Sequence, residues 1–330
     1  MVDFYYNEQG YLIFEKIVKR YNPFITVIIG GRGIGKTYSV LKHLIDNNKK
    51  FIFVRRTASE REFLRNIEYN PLKPFIEELN IQAGKYSDKY LNGKNLICHC
   101  VNLSTVSKIR GLNGEKIEFI YYDEFIPETF EKKLFNEYEA LLQLYETINR
   151  NREIDGKDPL KIVLTANSNN IFNDIIDGFN LTDYIFSLRD KKQEYKYIKK
   201  KKIFIGDIKK SPISEKKKDT YIYKLTKGSN FYNMSINNTF YNDYSSNIGL
   251  PYQLKEYKPF ADIGDIHVLI HCNKPILYVT SKNRGVAKKQ YFKLSDFFKM
   301  HNIYLTGFFI RKSIFFENSF YASLFQDYMI

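Results

Sequence analysis

The chain has 330 residues, 44% hydrophobic and 27% charged, so it carries enough apolar matter for one large domain or two ordinary ones and is not disordered overall. Tyrosine and phenylalanine each occur 27 times, tryptophan is absent, and the net charge is +14 with a pI of about 9.3. That surplus points to polyanionic partners, nucleic acid before membrane, since no run of 18 apolar residues is present to span a bilayer.

The first residues lack a basic stretch followed by an apolar one, so no secretory signal is expected. Cys98, Cys100 and Cys272 suit a reducing cytoplasm. Cys98-His99-Cys100 alternates along a strand, with both sulfurs on one face, which is not the spacing of a zinc knuckle. Residues 1–23 form a polar and aromatic lead-in with a helix expected over Tyr11–Tyr21. Two readings stay open for Phe4, Tyr5 and Tyr6: stacking on an adenine, or packing on the core.

Ile25 to Ile29 reads as a fully buried strand. It breaks into Gly30-Gly31-Arg32-Gly33-Ile34-Gly35-Lys36-Thr37, which fits G-x-x-x-x-G-K-[ST], and a helical pattern with Val40, Leu41, His43 and Leu44 follows. Glycines without Cβ atoms let backbone N–H groups approach phosphate oxygens, and the helix start adds unpaired N–H groups and a positive dipole end. Lys36 can then reach β- and γ-phosphates of a nucleoside triphosphate, and the Thr37 hydroxyl can ligate Mg²⁺. Arg32 has two open readings, a γ-phosphate in its own subunit or a neighbour's edge.

Phe51–Val54 reads as a second strand ending in Arg55 and Arg56, placed either at a ligand or in a structural ion pair. Ser59 is expected to cap a helix, Pro71 and Pro74 frame another to Leu79, and Asn92-Gly93 marks a hairpin turn. Lys116 to Glu124 is an apolar strand ending in two adjacent carboxylates. Burying like charges side by side is costly unless a cation and Lys36 are near, so Asp123 is assigned to the metal and Glu124 to the attacking water.

Apolar residues at three- and four-residue spacing predict a long amphipathic helix from Phe130 to Arg150. Arg150 and Arg152 either complement that helix's C-terminal dipole or reach the γ-phosphate of a neighbouring subunit. Leu160–Asn167 reads as a further buried strand, with Thr165 and Asn167 either sensing γ-phosphate or ending the strand. Strands alternating with helices imply a parallel sheet. Between Lys191 and Lys218 lie 12 lysines against three acids, +9 of the +14, interleaved with Tyr195, Tyr197 and Phe204. That favours a strand or hairpin followed by a helix from Ser214, and a DNA contact. Beyond residue 257, short apolar runs (Ile266–His271, Ile276–Thr280, Gln290–Leu294, Ile303–Ile310) suggest a strand-rich domain ending in a helix near Ser319–Met329.

Together, Gly30–Thr37, Phe53-Val-Arg-Arg56, Tyr122-Asp-Glu-Phe125, Asn149-Arg-Asn-Arg-Glu153 and the Ala166-Asn167 strand end resemble the DNA-packaging ATPases of φ29-like tailed phages, relatives of the large terminases. The resemblance is specific over residues 1–170 and is little more than domain order beyond 250. It implies an α/β P-loop NTPase of the additional-strand, conserved-glutamate (ASCE) type over residues 1–208, with a mostly parallel central sheet and Glu124's strand between the P-loop strand and its neighbours. A small lid or linker follows at 209–250, and a degenerate RNase H-like nuclease domain at 251–330. It further implies ATP hydrolysis with Mg²⁺ in a homo-oligomeric, pentameric ring that drives double-stranded DNA through the prohead portal in the host cytoplasm. The mature virion would not retain it, and a structural RNA is an open partner. Gly30, Gly31, Arg32, Gly33, Ile34, Gly35, Lys36, Thr37 and Asn167 would hold the nucleotide, Arg150 would act in trans, and Arg110 would be a second residue acting across the subunit interface. Two departures stand out: Thr57-Ala58-Ser59 where the family carries a lysine, and the weight of the lysine block. The competing readings are a terminase with an active nuclease, using some of Glu256, Asp262, Asp265, Asp296, Glu317 and Asp327, and a single-strand helicase.

Overall fold

The computed structural model describes residues 5–330 apart from 64–66, 80, 84–88, 110, 113, 128–133, 135, 168–172, 209–210, 230–231, 233–234, 237–246, 312, 327 and 329–330. Its contacts divide the chain into two units, Met1–Tyr241 and Asn242–Ile330.

In the first unit the apolar runs come together as one sheet. In chain order its strands are β1 (Ile25–Gly30), β2 (Phe51–Arg55), β3 (Gln82–Ala83), β4 (Lys89–Asn92), β5 (Asn95–Asn102), β6 (Phe119–Asp123), β7 (Lys161–Ala166), β8 (Tyr195–Ile198) and β9 (Ile203–Ile208). The spatial order is β3-β4-β5-β2-β6-β7-β1-β9-β8. The six strands from β5 to β9 run parallel, while β3, β4 and β8 join antiparallel at the edges.

Both faces of this sheet are covered, which is why its inner strands read as continuous apolar runs rather than alternating ones. Val27 and Ile29 enter the core on one face, with Leu141, Leu144 and Ile148 of helix α5 (Glu137–Asn149) and with residues of α6 (Asp174–Gly178) and α7 (Thr182–Asp190). Ile28 points the other way, to Phe14 and Ile17 of α1 (Phe14–Tyr21), Val40, Leu41 and Leu44 of α2 (Lys36–Asp46) and Phe75 of α4 (Lys73–Leu79). Each fully buried side chain of this kind contributes about 1.5–3 kcal/mol.

One expectation is corrected here. Glu124's strand does not lie beside the glycine-loop strand, because β7 is inserted between them. Thr165 of β7 is level with Ile28 on one side and Asp123 on the other. A run as apolar as Leu160–Ala166 is satisfied only in the interior of the sheet, buried on both faces.

Local boundaries also shift. Helix α1 starts at Phe14 rather than Tyr11, since Leu12 is drawn into a bridge with Tyr6. Tyr5 and Tyr6 are buried, with Tyr5 set edge-on to Tyr195, while Phe4 lies outside the described residues. The helix expected from Phe130 is described only from Glu137. For helix α3 (Ala58–Phe63), Thr57 rather than Ser59 supplies the capping hydroxyl, accepting from the Glu60 N–H at 3.3 Å. The lysine block does fold as a β8–β9 hairpin, and helix α8 (Pro212–Lys217) is capped by Ser211 with Pro212 at its first position rather than opening at Ser214. A further short helix, α9, spans Tyr221–Leu225.

In the second unit β10 (Tyr257–Ile263), β11 (Ile266–His271) and β12 (Leu277–Thr280) form an antiparallel meander. Strand β13 (Gln290–Tyr291) joins parallel to β10, and β14 (Ile314–Phe316) parallel to β12. The run Ile303–Ile310, expected as a strand, belongs instead to helix α10 (Leu294–Ile310). Its buried residues Phe297, Phe298, Leu305 and Phe308 recur at helical spacing, whereas Ile303 is 94% exposed. Helix α11 (Ser319–Gln326) adds Phe325 to the same core. Among the described residues no helix is long and apolar enough to cross a membrane.

Candidate functional site

The site is built where three neighbouring parallel strands end. Strand β1 runs out at Gly30, and the loop turns on Gly33 and Gly35, whose φ angles of +71° and +88° favour glycine. Gly35 caps helix α2 with no side-chain bond to that helix's first N–H groups. The loop is held from behind by the Leu12 N–H, which donates to the Ile34 carbonyl at 3.0 Å. Ile34 is buried and Arg32 is exposed.

Lys36 begins α2 and folds back over the loop. Its ammonium donates to the carbonyls of Gly30 and Gly31, each at 2.8 Å, and to Asn167 Oδ1 at 3.1 Å. Burial pushes its pKa down to about 8, with Asp123 and Glu124 pulling the other way. Thr37 donates to the Asp123 carboxylate, with oxygen separations of 3.1 and 3.2 Å. Asp123 also accepts from Thr165 at 2.6 Å and from Tyr121 at 3.1 Å. A hydroxyl and a carboxylate form an all-oxygen donor set, which suits a hard divalent cation that keeps most of its waters.

Glu124 follows in the left-handed region, φ 55°, so its side chain leaves the sheet instead of continuing the strand's alternation. Its carboxylate accepts from Arg55 at 2.9 Å, and Arg55 also lies 3.5 Å from Asp123. The two carboxylates outweigh the burial of Arg55 and hold its pKa above the ordinary value. Arg56 turns away from the loop and is 1% exposed. Its Nη2 donates to the Glu124 carbonyl at 2.7 Å and its Nε to Glu137 at 3.0 Å, and Tyr122 donates to the same Glu137 oxygen. Burial raises the Glu137 pKa, with Arg56 the main opposing influence. Arg55 therefore sits at the carboxylate pair, and Arg56 braces the backbone beneath it.

Arg150 and Arg152 lie at the C-terminal end of α5, against carbonyls that precede β6 in the chain. Arg150 caps α5 with φ 46° and donates to the carbonyls of Thr147 and Leu112 at 3.2 and 3.1 Å. Arg152 donates to the carbonyls of Gly114 and Glu115 at 3.0 and 2.8 Å. Arg110 lies outside the described residues.

Three participants escaped the sequence reading. Tyr121 is one more aromatic in an apolar strand, and Glu137 one more acid at a helix start, so neither carries a signal. Lys217 lies inside the lysine run, yet its ammonium donates to the Arg32 carbonyl of the glycine loop at 2.8 Å.

A strand, a glycine loop and a helix, with two carboxylates ending a strand two places away, belong to a mixed α/β protein with a large, mostly parallel sheet. A model of the family described as Podovirus DNA encapsidation protein (Gp16) matches residues 2–306, and the chain belongs to that family. The DNA packaging protein of Bacillus phage phi29 is 25% identical over 302 residues, 88% of this chain and 83% of that one. That of Bacillus phage B103 is 27% identical over 286 residues, with 84% and 83% covered. The fold is shared with a chain of the bacteriophage Phi-29 viral genome packaging motor assembly, at a TM-score of 0.58 and 19% identity over 98% of this chain and 97% of that one. A chain of the Phi-28 gp11 DNA packaging motor is similar at 0.53 and 16%, covering 97% and 96%.

Proposed function

We propose that this chain is an ATP-hydrolysing motor subunit that translocates double-stranded DNA into a prohead as part of a homo-oligomeric ring. The observation that carries the reading is the convergence of Lys36, Thr37, Asn167, Asp123 and Glu124 on the adjacent ends of β1, β7 and β6. The glycine loop and the α2 N–H groups would take the phosphates, with Lys36 across them. Thr37 and Asp123 would hold Mg²⁺, which when bound neutralises charge on the phosphate oxygens. Glu124 would orient and deprotonate the attacking water. In the present arrangement Arg55 neutralises that carboxylate, so a productive state requires Arg55 to release it. Asn167, bonded to Lys36 from the end of the strand between loop and carboxylates, would report γ-phosphate to both.

Arg150 is the better candidate than Arg152 for an arginine acting in trans. Its guanidinium is exposed with one bond beyond its own helix, whereas Arg152 is tied to two carbonyls of a single turn. The exposed lysines of the β8–β9 hairpin would grip DNA phosphates without regard to sequence. A pentameric ring on a portal fits the motor assemblies to which the similar solved chains belong, and the relation of residues 251–330 to an RNase H-like domain remains part of this reading. An active nuclease is the less favoured alternative, because Asp262 is already engaged by His267 at 2.7 Å and by the Ala287 N–H at 2.9 Å.

The test is ATP turnover with and without double-stranded DNA, on the native chain and on Glu124→Gln. DNA should stimulate the native chain, and Glu124→Gln should bind ATP with turnover lowered on the order of 10²–10⁴-fold. Equal turnover in the two proteins would remove Glu124 from the mechanism, and absence of ATP binding would remove the proposal.

A further inference from the structure

The glycine loop has a second lysine: Lys36 donates to the carbonyls of Gly30 and Gly31, and Lys217 to that of Arg32. Strand β9 ends beside the loop, with Ile208 paired to Gly30, and α8, which follows it in the chain, brings Lys217 to the Arg32 carbonyl at 2.8 Å. That helix is firmly seated. Ser211 and Ser214 are buried and bonded to each other, and a Cβ on Gly10 would strike Pro212 and Ile213 at 2.7 Å. From its last turn Lys217 reaches the loop at Gly33, where an added Cβ would sit 2.3 Å from the Lys217 Nζ. Among the described residues, its ammonium donates to one acceptor, the carbonyl of Arg32. An ammonium has three donors, so this contact leaves capacity for more.

A lysine half-withdrawn from water at the lip of an anion cradle, bonded to one neutral carbonyl, is under-compensated in charge. The carboxylates of the site are gathered at the other end, around Thr37 and Arg55. We infer that Lys217 is a second ligand of the nucleotide's terminal phosphates, exchanging the Arg32 carbonyl for a phosphate oxygen, so that α8 responds to whether a triphosphate or a diphosphate is bound. Burial lowers the Lys217 pKa, which is consistent with a cation that gains on meeting an anion. The inference rests on the reading of the loop as an ATP site and adds to it a ligand carried by the segment after the sheet. It also gives Gly33 a second duty, since a Cβ there would displace this ammonium from its present position.

The test uses the full chain with Mg²⁺ and fluorescent ATP and ADP analogues, comparing Lys217→Met, which keeps the apolar stem, with Lys217→Arg, which keeps the charge. A charged hydrogen bond to a terminal phosphate is worth on the order of a 10- to 100-fold affinity difference. Lys217→Met should lose that much for the ATP analogue and less than about threefold for the ADP analogue, and Lys217→Arg should recover most of it. A rise in the trypsin resistance of the 209–230 segment on adding the ATP analogue, present in the native chain and absent in Lys217→Met, reads the same exchange independently. Equal losses for both analogues, or none, overturn the inference while leaving the ATP site standing. A native chain that binds neither analogue overturns the ATP reading and this one with it.

Discussion

Arg56→Met is the substitution whose cost can be worked most directly from the structure. The side chain is 1% exposed, and it neutralises a Glu137 carboxylate that is itself 3% exposed. Removing one member of a buried pair costs about 3–5 kcal/mol, because the other is left as an uncompensated charge. For a unit of this size that corresponds to a fall in Tm of about 6–20 °C. The pH dependence follows from Glu137. Burial already raises its pKa above the ordinary 4.5, and losing Arg56 removes the main influence holding it down. A carboxyl with a raised folded pKa leaves stability intact below its unfolded pKa and withdraws it as pH rises through the folded one. The deficit of Arg56→Met against the native chain should therefore be small near pH 5 and largest at pH 7.5 and above. Adding Glu137→Gln, which keeps an acceptor for Tyr122, should return more than half of the loss. Melting curves followed by circular dichroism at several pH values provide the measurement. A variant melting within about 1 °C of the native chain at pH 7.5, or a deficit that grows toward acid, would refute the reasoning.

Three further outcomes are expected. Gly178→Ala places a Cβ 2.3 Å from the Tyr138 ring and should cost about 1–3 kcal/mol by overpacking, with a milder effect once Tyr138 is cut back to leucine; a melt unchanged by Gly178→Ala alone would show that the ring has room to move. Arg150→Ala should keep its fold and its ATP affinity but lose on the order of 10³–10⁵ in turnover, whereas Arg152→Ala should lower Tm and spare turnover; the opposite pattern would exchange their roles. DNA affinity, measured by anisotropy on duplexes of unrelated sequence, should fall on the order of 10³-fold between 50 and 200 mM salt if about six phosphates are neutralised, and a flat response would detach the lysine block from DNA.

The parts of the chain that were legible in advance are those with both a pattern and a spacing. The Ile25–Thr37 stretch, the Lys116–Glu124 run and the Leu160–Asn167 run each announce themselves by apolar residues that end in chemistry. Their alternation with helices implied the parallel sheet. The lateral order did not follow, because nothing in an apolar run says which apolar run it will lie beside. Length and period decided the misread helix at 303–310, where aromatic and β-branched residues favour a strand locally but burial follows Phe297, Phe298, Leu305 and Phe308. Arg55 and Arg56 looked alike as neighbours in sequence. Strand alternation sends Arg55 to Asp123 and Glu124 and Arg56 to the buried Glu137, so both stand in ion pairs. Lys217 was hidden by its company, as one lysine among 12.

The edges of the large sheet carry a consequence of their own. A nine-stranded sheet exposes two rows of unpaired peptide groups, each a template on which another chain can add a strand. Here one edge is only the two residues Gln82–Ala83, too short to seed pairing. The other is Tyr195–Ile198, which contains Lys196 and runs into Lys199, Lys200, Lys201 and Lys202. A second copy pairing there would press one lysine run against another. Such an edge resists strand addition by charge, and neutralising those lysines wholesale should yield a protein that aggregates.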